Sequence, residues 1–368
     1  MADDSTFTNT VVPAQTEFCI FTLSAFFRYA LRTKKQLFDD LMAGRVPEDR
    51  VLFRPILMHF AARFGGTTYG AFASDHRVLV DCNIRAMEAF DTDMVGLISD
   101  PYRETSAFGA EISFPAEAVP VCRAPVVHTL GDVIALKNPD VYNSERTRDR
   151  ILGAELFQHH LKGEVPVIGW VEGPLAEACD LTGLDNMLMQ LMMDPDFCNR
   201  LLDKCLDTAM DFAAAQISAG CDVIGIGDAI CSQIDLETYE TYIRDRHHQL
   251  IDHIHSCGGR TKLHICGNIT HLLPAIAALG SDIVDLDYQV DLDVAFDLLG
   301  PGVIRCGNLS PMLLEDRTAE EVHRAVSGLV ESERGRPYIL SAGCEVIVST
   351  PPENLIAMRE ASKFSPKT

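Results

Sequence analysis

One histidine and two cysteines of this 368-residue chain have the types and spacing of metal ligands. His264 and Cys266 form a His-x-Cys motif, and Cys344 ends a distant Ser-Ala-Gly-Cys segment. Because side chains alternate across a strand, the histidine and the first cysteine lie on the same face of an extended segment. Three protein ligands with one vacant position are typical of a catalytic zinc ion, whereas a structural zinc usually has four. We therefore predict a Zn²⁺ site in a metalloenzyme.

A zinc ion held by two thiolates and a neutral imidazole carries almost no net charge. Such an ion is a poor Lewis acid for hydrolysis, and it suits a soft nucleophile such as a substrate thiolate. Two alternatives remain open. His264 and Cys266 are also compatible with a core histidine beside a buried cysteine. Cys306 competes with Cys344 as the third ligand, although we expect Cys306 to be a packed strand residue.

The composition argues against nucleic acid or an anionic membrane as a partner. The chain has 53 acidic and 31 basic residues and a net charge of −22, whereas those partners require clustered positive charge. We find no apolar run long enough to cross a bilayer and no signal peptide at the N-terminus. The 12 cysteines show no paired short spacing, so we expect reduced thiols in a cytoplasmic protein.

Short apolar, β-branched runs alternate with segments of helical periodicity, which predicts a parallel α/β sheet. Eight such units favour a closed (β/α)₈ (TIM) barrel over an open sheet. The predicted strands are 52–57, 94–99, 165–171, 222–226, 261–266, 283–286, 303–307 and 338–341. The predicted helices include 79–90, 195–219, 236–256, 269–279 and 319–333. We expect residues 46–368 to form the catalytic barrel and residues 1–45 to form an N-terminal arm packed on it.

Chemistry in such barrels occurs at the C-terminal ends of the strands. The predicted ligands lie there, because His264 and Cys266 end the fifth strand and Cys344 follows the eighth. Three carboxylates with predicted catalytic roles share this face, namely Glu172 after the third strand, Asp228 after the fourth and Asp287 after the sixth. The alternative for Glu172 and Asp228 is a structural charge near a helix N-terminus.

Asp287 is the leading candidate for a fourth or displaceable zinc ligand, and its alternative is a solvated or substrate-binding carboxylate. Asp285 is expected to face the other way. Five further residues near the strand ends are candidates for substrate binding: His59, Arg63, Asp100, Tyr102 and Tyr288. A role in the local structure is an equally good interpretation of His59 and Arg63. Four histidines on one predicted helix, including His247, are expected to form a partly solvated face.

The His264-x-Cys266 pair with Cys344 resembles the His-x-Cys…Cys zinc motif of corrinoid-linked methyltransferases. These enzymes belong to the uroporphyrinogen decarboxylase superfamily, which includes the methylcobamide:coenzyme M methyltransferases. Four other stretches resemble the same family, namely 55–63, Glu172-Gly-Pro174, 307–311 and 349–354. The resemblance extends over residues 45–362, and its C-terminal third is the more specific part.

The resemblance implies a uroporphyrinogen decarboxylase-like (β/α)₈ barrel that transfers a methyl group to or from cobalamin on a separate corrinoid protein. It also implies zinc ligation by His264, Cys266 and Cys344. In coenzyme M methyltransferases an additional Glu occupies the zinc when substrate is absent, and this chain has Asp287-Tyr288 near that place. The decarboxylase branch uses an arginine-rich first loop for porphyrin carboxylates, and the segment that ends at Arg63 keeps only part of it.

Our main hypothesis is zinc-dependent methyl transfer between a small methylated compound and the cobalamin of a corrinoid protein. We favour demethylation of a methoxylated aromatic compound, and methyl transfer from methylcobamide to a thiol such as coenzyme M is the alternative direction. A metal-independent decarboxylase of a uroporphyrinogen-like acid is a second hypothesis. A non-catalytic binding module that keeps the barrel and the metal is a third. The oligomeric state is not predicted, although a dimer is compatible with the sequence.

Overall fold

The computed structural model describes residues 32–364. Eight parallel strands form one curled sheet in the order β1-β10-β9-β8-β7-β6-β5-β2. These strands are β1 (Leu52–Phe53), β2 (Val95–Gly96), β5 (Val167–Glu172), β6 (Val223–Gly227), β7 (Arg260–His264), β8 (Ile283–Leu286), β9 (Ile304–Leu309) and β10 (Tyr338–Ala342). An antiparallel hairpin of β3 (Ile112–Ser113) and β4 (Val121–Cys122) lies in the long connection between β2 and β5.

Helices occupy the connections between consecutive barrel strands, as the alternating pattern predicts. Before β5 they are α1 (Lys34–Met42), α2 (Met58–Phe64), α3 (Tyr69–Ser74), α4 (His76–Phe90), α5 (Arg103–Ala107), α6 (Leu130–Ala135) and α7 (Glu145–Leu161). After β5 they are α8 (Pro174–Thr182), α9 (Leu184–Met193), α10 (Pro195–Ser218), α11 (Leu236–Tyr242), α12 (Arg244–Ser256), α13 (Leu273–Ala277), α14 (Leu292–Leu299), α15 (Pro311–Asp316), α16 (Ala319–Ser332) and α17 (Pro352–Ala361). A 3₁₀ helix, Ala229–Gln233, follows β6. None of the helices within 32–364 combines the length and apolar character that a bilayer-spanning segment requires.

The barrel closes between its first two strands through Asp93. The backbone N–H of Asp93 donates to the carbonyl of Phe53 at 2.8 Å, and the Asp93 carboxylate accepts from the N–H of Phe53 at 2.8 Å. The remaining neighbours pair in parallel ladders. The prediction of a (β/α)₈ barrel is therefore confirmed.

All eight predicted strands are present, but their ends differ from the prediction. The first strand ends at Phe53 rather than residue 57, because Pro55 has no N–H to donate to a ladder. The predicted helix 269–279 shortens to Leu273–Ala277, since Pro274 fits only in a first helical turn. The predicted helix 236–256 is divided into α11 and α12 at Ile243.

An apolar layer closes the N-terminal end of the barrel. Residues of six barrel strands and Met94, which precedes β2, pack there against Leu37, Phe38 and Leu41 of α1. The strand residues are Leu52, Ile168, Val223, Ile283, Ile304, Cys306 and Ile339. Part of the predicted N-terminal arm thus packs on the barrel. Residues 1–31 of that arm lie outside the described residues, and the boundary at residue 45 stays a prediction.

Above this apolar layer, Trp170 occupies space inside the barrel that two glycines of β6 leave open. A Cβ atom on Gly225 would lie 2.3 Å from Cε3 of Trp170, and one on Gly227 would lie 2.8 Å from Nε1. Both distances are far shorter than van der Waals contact. The two glycines are therefore required for the position of the indole ring.

Replacing Gly225 by Ala is expected to destabilise the protein by about 1–3 kcal/mol, because the new methyl group overpacks a well-filled barrel interior. The measurement is the free energy of unfolding from urea titrations. The matched control is Gly328→Ala in α16, where an added Cβ meets no atom within 4 Å. That control is expected to stabilise the helix by about 0.5–1 kcal/mol. Equal stability of the Gly225→Ala variant and the wild-type protein would contradict the packing argument.

Candidate metal centre

The structure brings His264, Cys266 and Cys344 together at the C-terminal end of the barrel. Nε2 of His264 lies 2.9 Å from Sγ of Cys266, which lies 3.5 Å from Sγ of Cys344. The three ligand atoms all lie within 4.8 Å of one another. His264 ends β7, and each cysteine lies two residues beyond the end of its strand. Parallel strand ends therefore bring distant residues of the chain to one point.

The donor atoms fit a zinc ion. Zinc bonds of about 2.3 Å to sulfur and about 2.0–2.1 Å to nitrogen place tetrahedral ligand atoms roughly 3.5–3.8 Å apart. The separation of the two sulfur atoms, 3.5 Å, lies at the lower end of that range, and the 2.9 Å between Nε2 of His264 and Sγ of Cys266 would have to lengthen around an ion. Both cysteines are half-buried, whereas His264 is buried. An ion bound here would be covered from the barrel interior and accessible from the mouth.

Asp285 holds His264 from inside the barrel. Nδ1–H of His264 donates to Oδ2 of Asp285 at 2.7 Å, which leaves Nε2 to face the two thiols. Lys262, which is 1% exposed, makes an ion pair with the same carboxylate. The expectation that Asp285 faces away was wrong, because residues two apart on a strand share a face and Asp285 points inward as Asp287 does.

Hydrogen bonds and charges shift the pKa values of these groups. Burial raises the pKa of Asp285, but the charge of Lys262 and the hydrogen bond from His264 outweigh it and hold that pKa well below the usual range. A hydrogen bond from the Cys266 thiol lowers the pKa of Cys344 to about 4, against the effect of burial. The same bond raises the pKa of Cys266. These opposite shifts favour a thiolate at Cys344 and a thiol at Cys266, and an ion bound to both sulfur atoms would displace the remaining proton.

Asp287 lies beside His264, Cys266 and Cys344 but is not part of that group of closely spaced ligand atoms. Its carboxylate accepts from the backbone N–H of Gly267 at 3.1 Å and from that of Gln289 at 3.2 Å. These bonds hold the loop that carries Cys266. Its role as a fourth ligand stays a prediction, and its contacts favour a supporting role. Cys306 is buried inside the barrel and lies outside the cluster.

Glu172 points into the barrel next to the metal centre. Its Oε1 accepts from Nη2 of Arg103 at 2.7 Å and from Nε1 of Trp170 at 3.1 Å. The Trp170 ring meets the His264 ring edge-on, with centroids 5.6 Å apart. Burial raises the pKa of Glu172 well above its usual value, and Arg103 only partly opposes this. Glu172 is thus separated from the centre by one aromatic side chain.

Asp228 has a different environment from the one predicted for a catalytic carboxylate. It accepts from the backbone N–H groups of Leu175 and Ala176 at the start of α8, at 3.3 Å and 2.8 Å. It also lies 2.9 Å from Nε2 of His247, whose Nδ1 lies 3.0 Å from the Tyr239 hydroxyl. His247 is completely buried, so its expected solvation was wrong. These contacts connect β6, α8 and α12 and favour a structural role, and the catalytic role of Asp228 stays a prediction.

Two predicted substrate-binding residues, Asp100 and Tyr102, follow β2. Arg146 donates to both carboxylate oxygens of Asp100, at 2.7 Å and 2.8 Å. Burial raises the pKa of Asp100, but the Arg146 charge and hydrogen bonds outweigh it and lower that pKa strongly. Tyr102 is half-buried near Asp180 and Glu172, and burial raises its pKa to about 12. Asp100 is occupied by an internal partner, whereas Tyr102 has access to solvent.

The other predicted substrate-binding residues are dispersed. His59 stacks on Tyr69 with centroids 4.5 Å apart, and its N–H donates to Glu345 at 2.7 Å. Arg63 is exposed and lines a groove of about 360 Å³ with residues 348–352. Tyr288 is 53% exposed and lines a separate depression of about 460 Å³. The backbone of His59 and that of Tyr288 lie against the segment that carries Cys344, because Glu345 accepts from His59 and a Cβ on Gly343 would lie 2.6 Å from the Tyr288 nitrogen. Substrate binding by the three residues stays a prediction.

Sequence reasoning missed three residues that support the centre: Lys262, Trp170 and Arg103. Lys262 lies two residues before His264 on β7, and Trp170 lies two residues before Glu172 on β5. Because side chains two residues apart on a strand share a face, the sequence could have identified both. Arg103 gave no comparable signal, because it lies in a connecting helix. Its position near Glu172 results from the folding of the chain after β2 onto the barrel mouth.

Replacing Asp285 by Asn is expected to weaken zinc binding by about 10–100-fold, because the ligating histidine loses its charged acceptor. The measurement is competition with a chromogenic chelator on the purified protein. The control is Asp293→Asn, which changes an exposed carboxylate that pairs with Arg336. Unchanged zinc affinity in Asp285→Asn would show that the carboxylate does not support the ligand.

Comparisons with known proteins agree with this architecture. Residues 33–364 match the family "Uroporphyrinogen decarboxylase (URO-D)". A "methyltransferase from Methanosarcina mazei" of known structure superposes with a TM-score of 0.82 at 20% identity, covering 90% of this chain and 98% of that one. At this identity the superposition establishes the fold alone.

The curated relatives include methyltransferases and uroporphyrinogen decarboxylases. The methylcobamide:CoM methyltransferase MtbA of Methanosarcina acetivorans is 32% identical over 241 residues, which are 65% of this chain and 69% of that protein. The uroporphyrinogen decarboxylase of Geobacter sulfurreducens is 27% identical over 288 residues, which are 76% of this chain and 82% of that protein. The chain therefore belongs to the uroporphyrinogen decarboxylase family, and its similarity to MtbA supports the corrinoid methyltransferase branch.

Proposed function

We propose that this protein transfers a methyl group between a small substrate and the cobalamin of a separate corrinoid protein. The observation that carries the proposal is the convergence of His264, Cys266 and Cys344 at the barrel mouth. The similarity to MtbA supports the same reaction class. A reducing, cytoplasmic setting suits the proposal, because both cysteines must remain thiolates rather than form a disulfide.

In the proposed site these three residues hold one Zn²⁺ ion. When bound, the ion would polarise or deprotonate the substrate heteroatom that gives up or accepts the methyl group. Asp285 fixes the imidazole orientation, and Lys262 balances the charge of that carboxylate. The barrel wall excludes water from below, and the open mouth leaves room for the cobalamin of the partner.

Glu172 is proposed to exchange the proton that accompanies methyl transfer. In demethylation, Co(I) attacks the methyl carbon, the carbon–oxygen bond breaks toward oxygen, and the oxygen takes up one proton. In transfer to a thiol, the thiol loses one proton, its sulfur attacks the methyl group, and Co(I) is regenerated. Either direction needs one acid or base near the heteroatom. Glu172 meets this need because it is buried beside the Trp170–His264 pair.

Demethylation of a methoxylated aromatic compound stays our substrate hypothesis. A thiol acceptor is the second candidate, and the methylcobamide:CoM activity named for the MtbA relatives favours it. Tyr102 is the substrate-binding candidate with the best support, since it is half-buried near Glu172. A screen of methyl transfer to Co(I)-cobalamin from methoxyaromatics, methanol, methylamines and methylated thiols separates these substrates.

Two competing functions share the fold. A metal-independent decarboxylase agrees with the decarboxylase relatives, but it gives no reason for the convergence of the three metal-binding side chains. A non-catalytic metal-binding module agrees with the cluster. Metal content of the purified protein tests the decarboxylase, and methyl transfer by the zinc-loaded protein tests the binding module.

Replacing Cys266 or Cys344 by Ala is expected to reduce bound zinc strongly and to abolish methyl transfer, because two protein ligands do not hold the ion in place. Zinc stoichiometry and methyl transfer are measured on the same preparations, with circular dichroism as a check of folding. The control is Cys198→Ala, a buried cysteine of α10. Methyl transfer that persists in both folded variants would eliminate the zinc mechanism.

A further inference from the structure

Glu172 belongs to a group of four acidic side chains next to Arg103. Glu104 belongs to α5, Glu172 ends β5, and Glu177 and Asp180 belong to α8. Glu104, Glu172 and Glu177 are buried, and Asp180 is half-buried. We call these four residues the carboxylate cluster. One guanidinium cannot neutralise four carboxylates.

Direct contacts connect the cluster to the metal-facing side of the barrel. The backbone N–H of Glu172 donates to Oε1 of Glu104 at 2.9 Å. Arg103 donates to Glu172, and its Nε lies 3.6 Å from Oε2 of Glu104. The Thr105 hydroxyl donates to Oε2 of Glu177 at 3.1 Å. The cluster therefore extends from Glu172 through α5 to α8.

Several buried polar atoms of the cluster have no hydrogen-bond partner. They are Oε1 of Glu177, Oδ2 of Asp180, Oε2 of Glu104 and Nε of Arg103. The last two face each other as an ion pair, so the atoms without any charged or hydrogen-bonding partner here are those of Glu177 and Asp180. Glu104 and Glu177 are each 1% exposed. A buried carboxylate with an unpartnered oxygen is costly when it is ionised, and protonation removes most of that cost. The geometry thus favours bound protons in the cluster.

The pKa shifts have the same direction. Burial raises the pKa of Glu177 well above its usual value, and the charges of Glu104 and Asp180 add to that effect. Burial also raises the pKa of Asp180 to about 7. The titratable and charged groups that face the cluster from neighbouring elements are Asp100, Tyr102, Cys122, Cys179, Cys205 and Asp228. Two guanidinium groups of α7 also lie near Arg103. Arg146 donates to Asp100, and Arg150 pairs with Asp149 and donates to the carbonyl of Ala73, so their described contacts are with groups outside the cluster.

We propose that the carboxylate cluster holds bound protons at neutral pH, and that its charge determines whether Glu172 carries the proton that it exchanges with the substrate. The inference rests on the proposed methyl transfer, in which one proton is taken up or released per turnover. In demethylation, Glu172 gives its proton to the leaving oxygen and takes up another from water before the next turnover. In transfer to a thiol, the proton moves in the opposite direction. Glu104, Glu177 and Asp180 act through Glu172 and are positioning residues.

The first test is infrared spectroscopy of the wild-type, zinc-loaded protein at pH 7. We expect a carbonyl stretch of protonated carboxylic acid that disappears as the pH is raised. We expect the Glu177→Gln variant to lose part of this signal and Glu333→Gln to keep it. Glu333 is a matched control, because it is buried and paired with Arg305 outside the cluster. Absence of the signal from the wild-type protein would overturn the inference, whether or not the variants fold.

The second test is the pH dependence of the methyl-transfer rate in Asp180→Asn. Removing a negative charge near Glu172 stabilises its ionised form, so the pH of half-maximal rate is expected to fall by about one unit. A midpoint equal to that of the wild-type protein would overturn the coupling between the cluster and Glu172. If the wild-type protein shows the infrared signal but transfers no methyl group, the proposed reaction is refuted while the protonated cluster stands. The two failures are therefore distinguishable.

Discussion

The buried ion pair between Lys262 and Asp285 is the interaction on which the candidate metal centre depends. Both groups are inside the barrel, where an unpaired charge is very unfavourable. The carboxylate therefore needs the ammonium group, and it uses its remaining capacity to accept from His264. This arrangement determines which imidazole nitrogen faces the two thiols. The buried charges of Lys262 and Asp285 thus orient the histidine of the candidate metal centre at the barrel mouth.

The barrel interior is divided into layers with different tasks. The lowest layer is apolar and is covered by α1, which gives the strands a stable base. The middle layer contains Trp170 and Lys262, with the ammonium nitrogen 5.9 Å from the centre of the indole ring. The upper layer presents His264 and Glu172. Stability and chemistry are therefore assigned to opposite ends of the same strands, as in other (β/α)₈ barrels.

The family includes decarboxylases and methyltransferases, so the fold alone does not select the reaction. The distinguishing features are local. Three candidate metal ligands lie at the ends of β7 and β10, and Trp170 separates them from Glu172 and the other buried acidic side chains. By contrast, Asp100 is engaged by Arg146 and Asp228 by backbone groups, so these carboxylates contribute to the architecture around the mouth.

Periodicity alone was sufficient to predict the barrel, since eight apolar runs alternate with helical segments and each run is a strand in the structure. The His-x-Cys spacing was also sufficient to place two donors on one face. Tertiary structure was needed to place Cys344 beside them, to turn Asp285 toward His264 and to bury His247 between Asp228 and Tyr239. Local sequence determines which side of a strand a residue faces. Only the packing of distant elements decides which partner it meets there, because that contact depends on the curvature of the sheet and the path of the connecting loops.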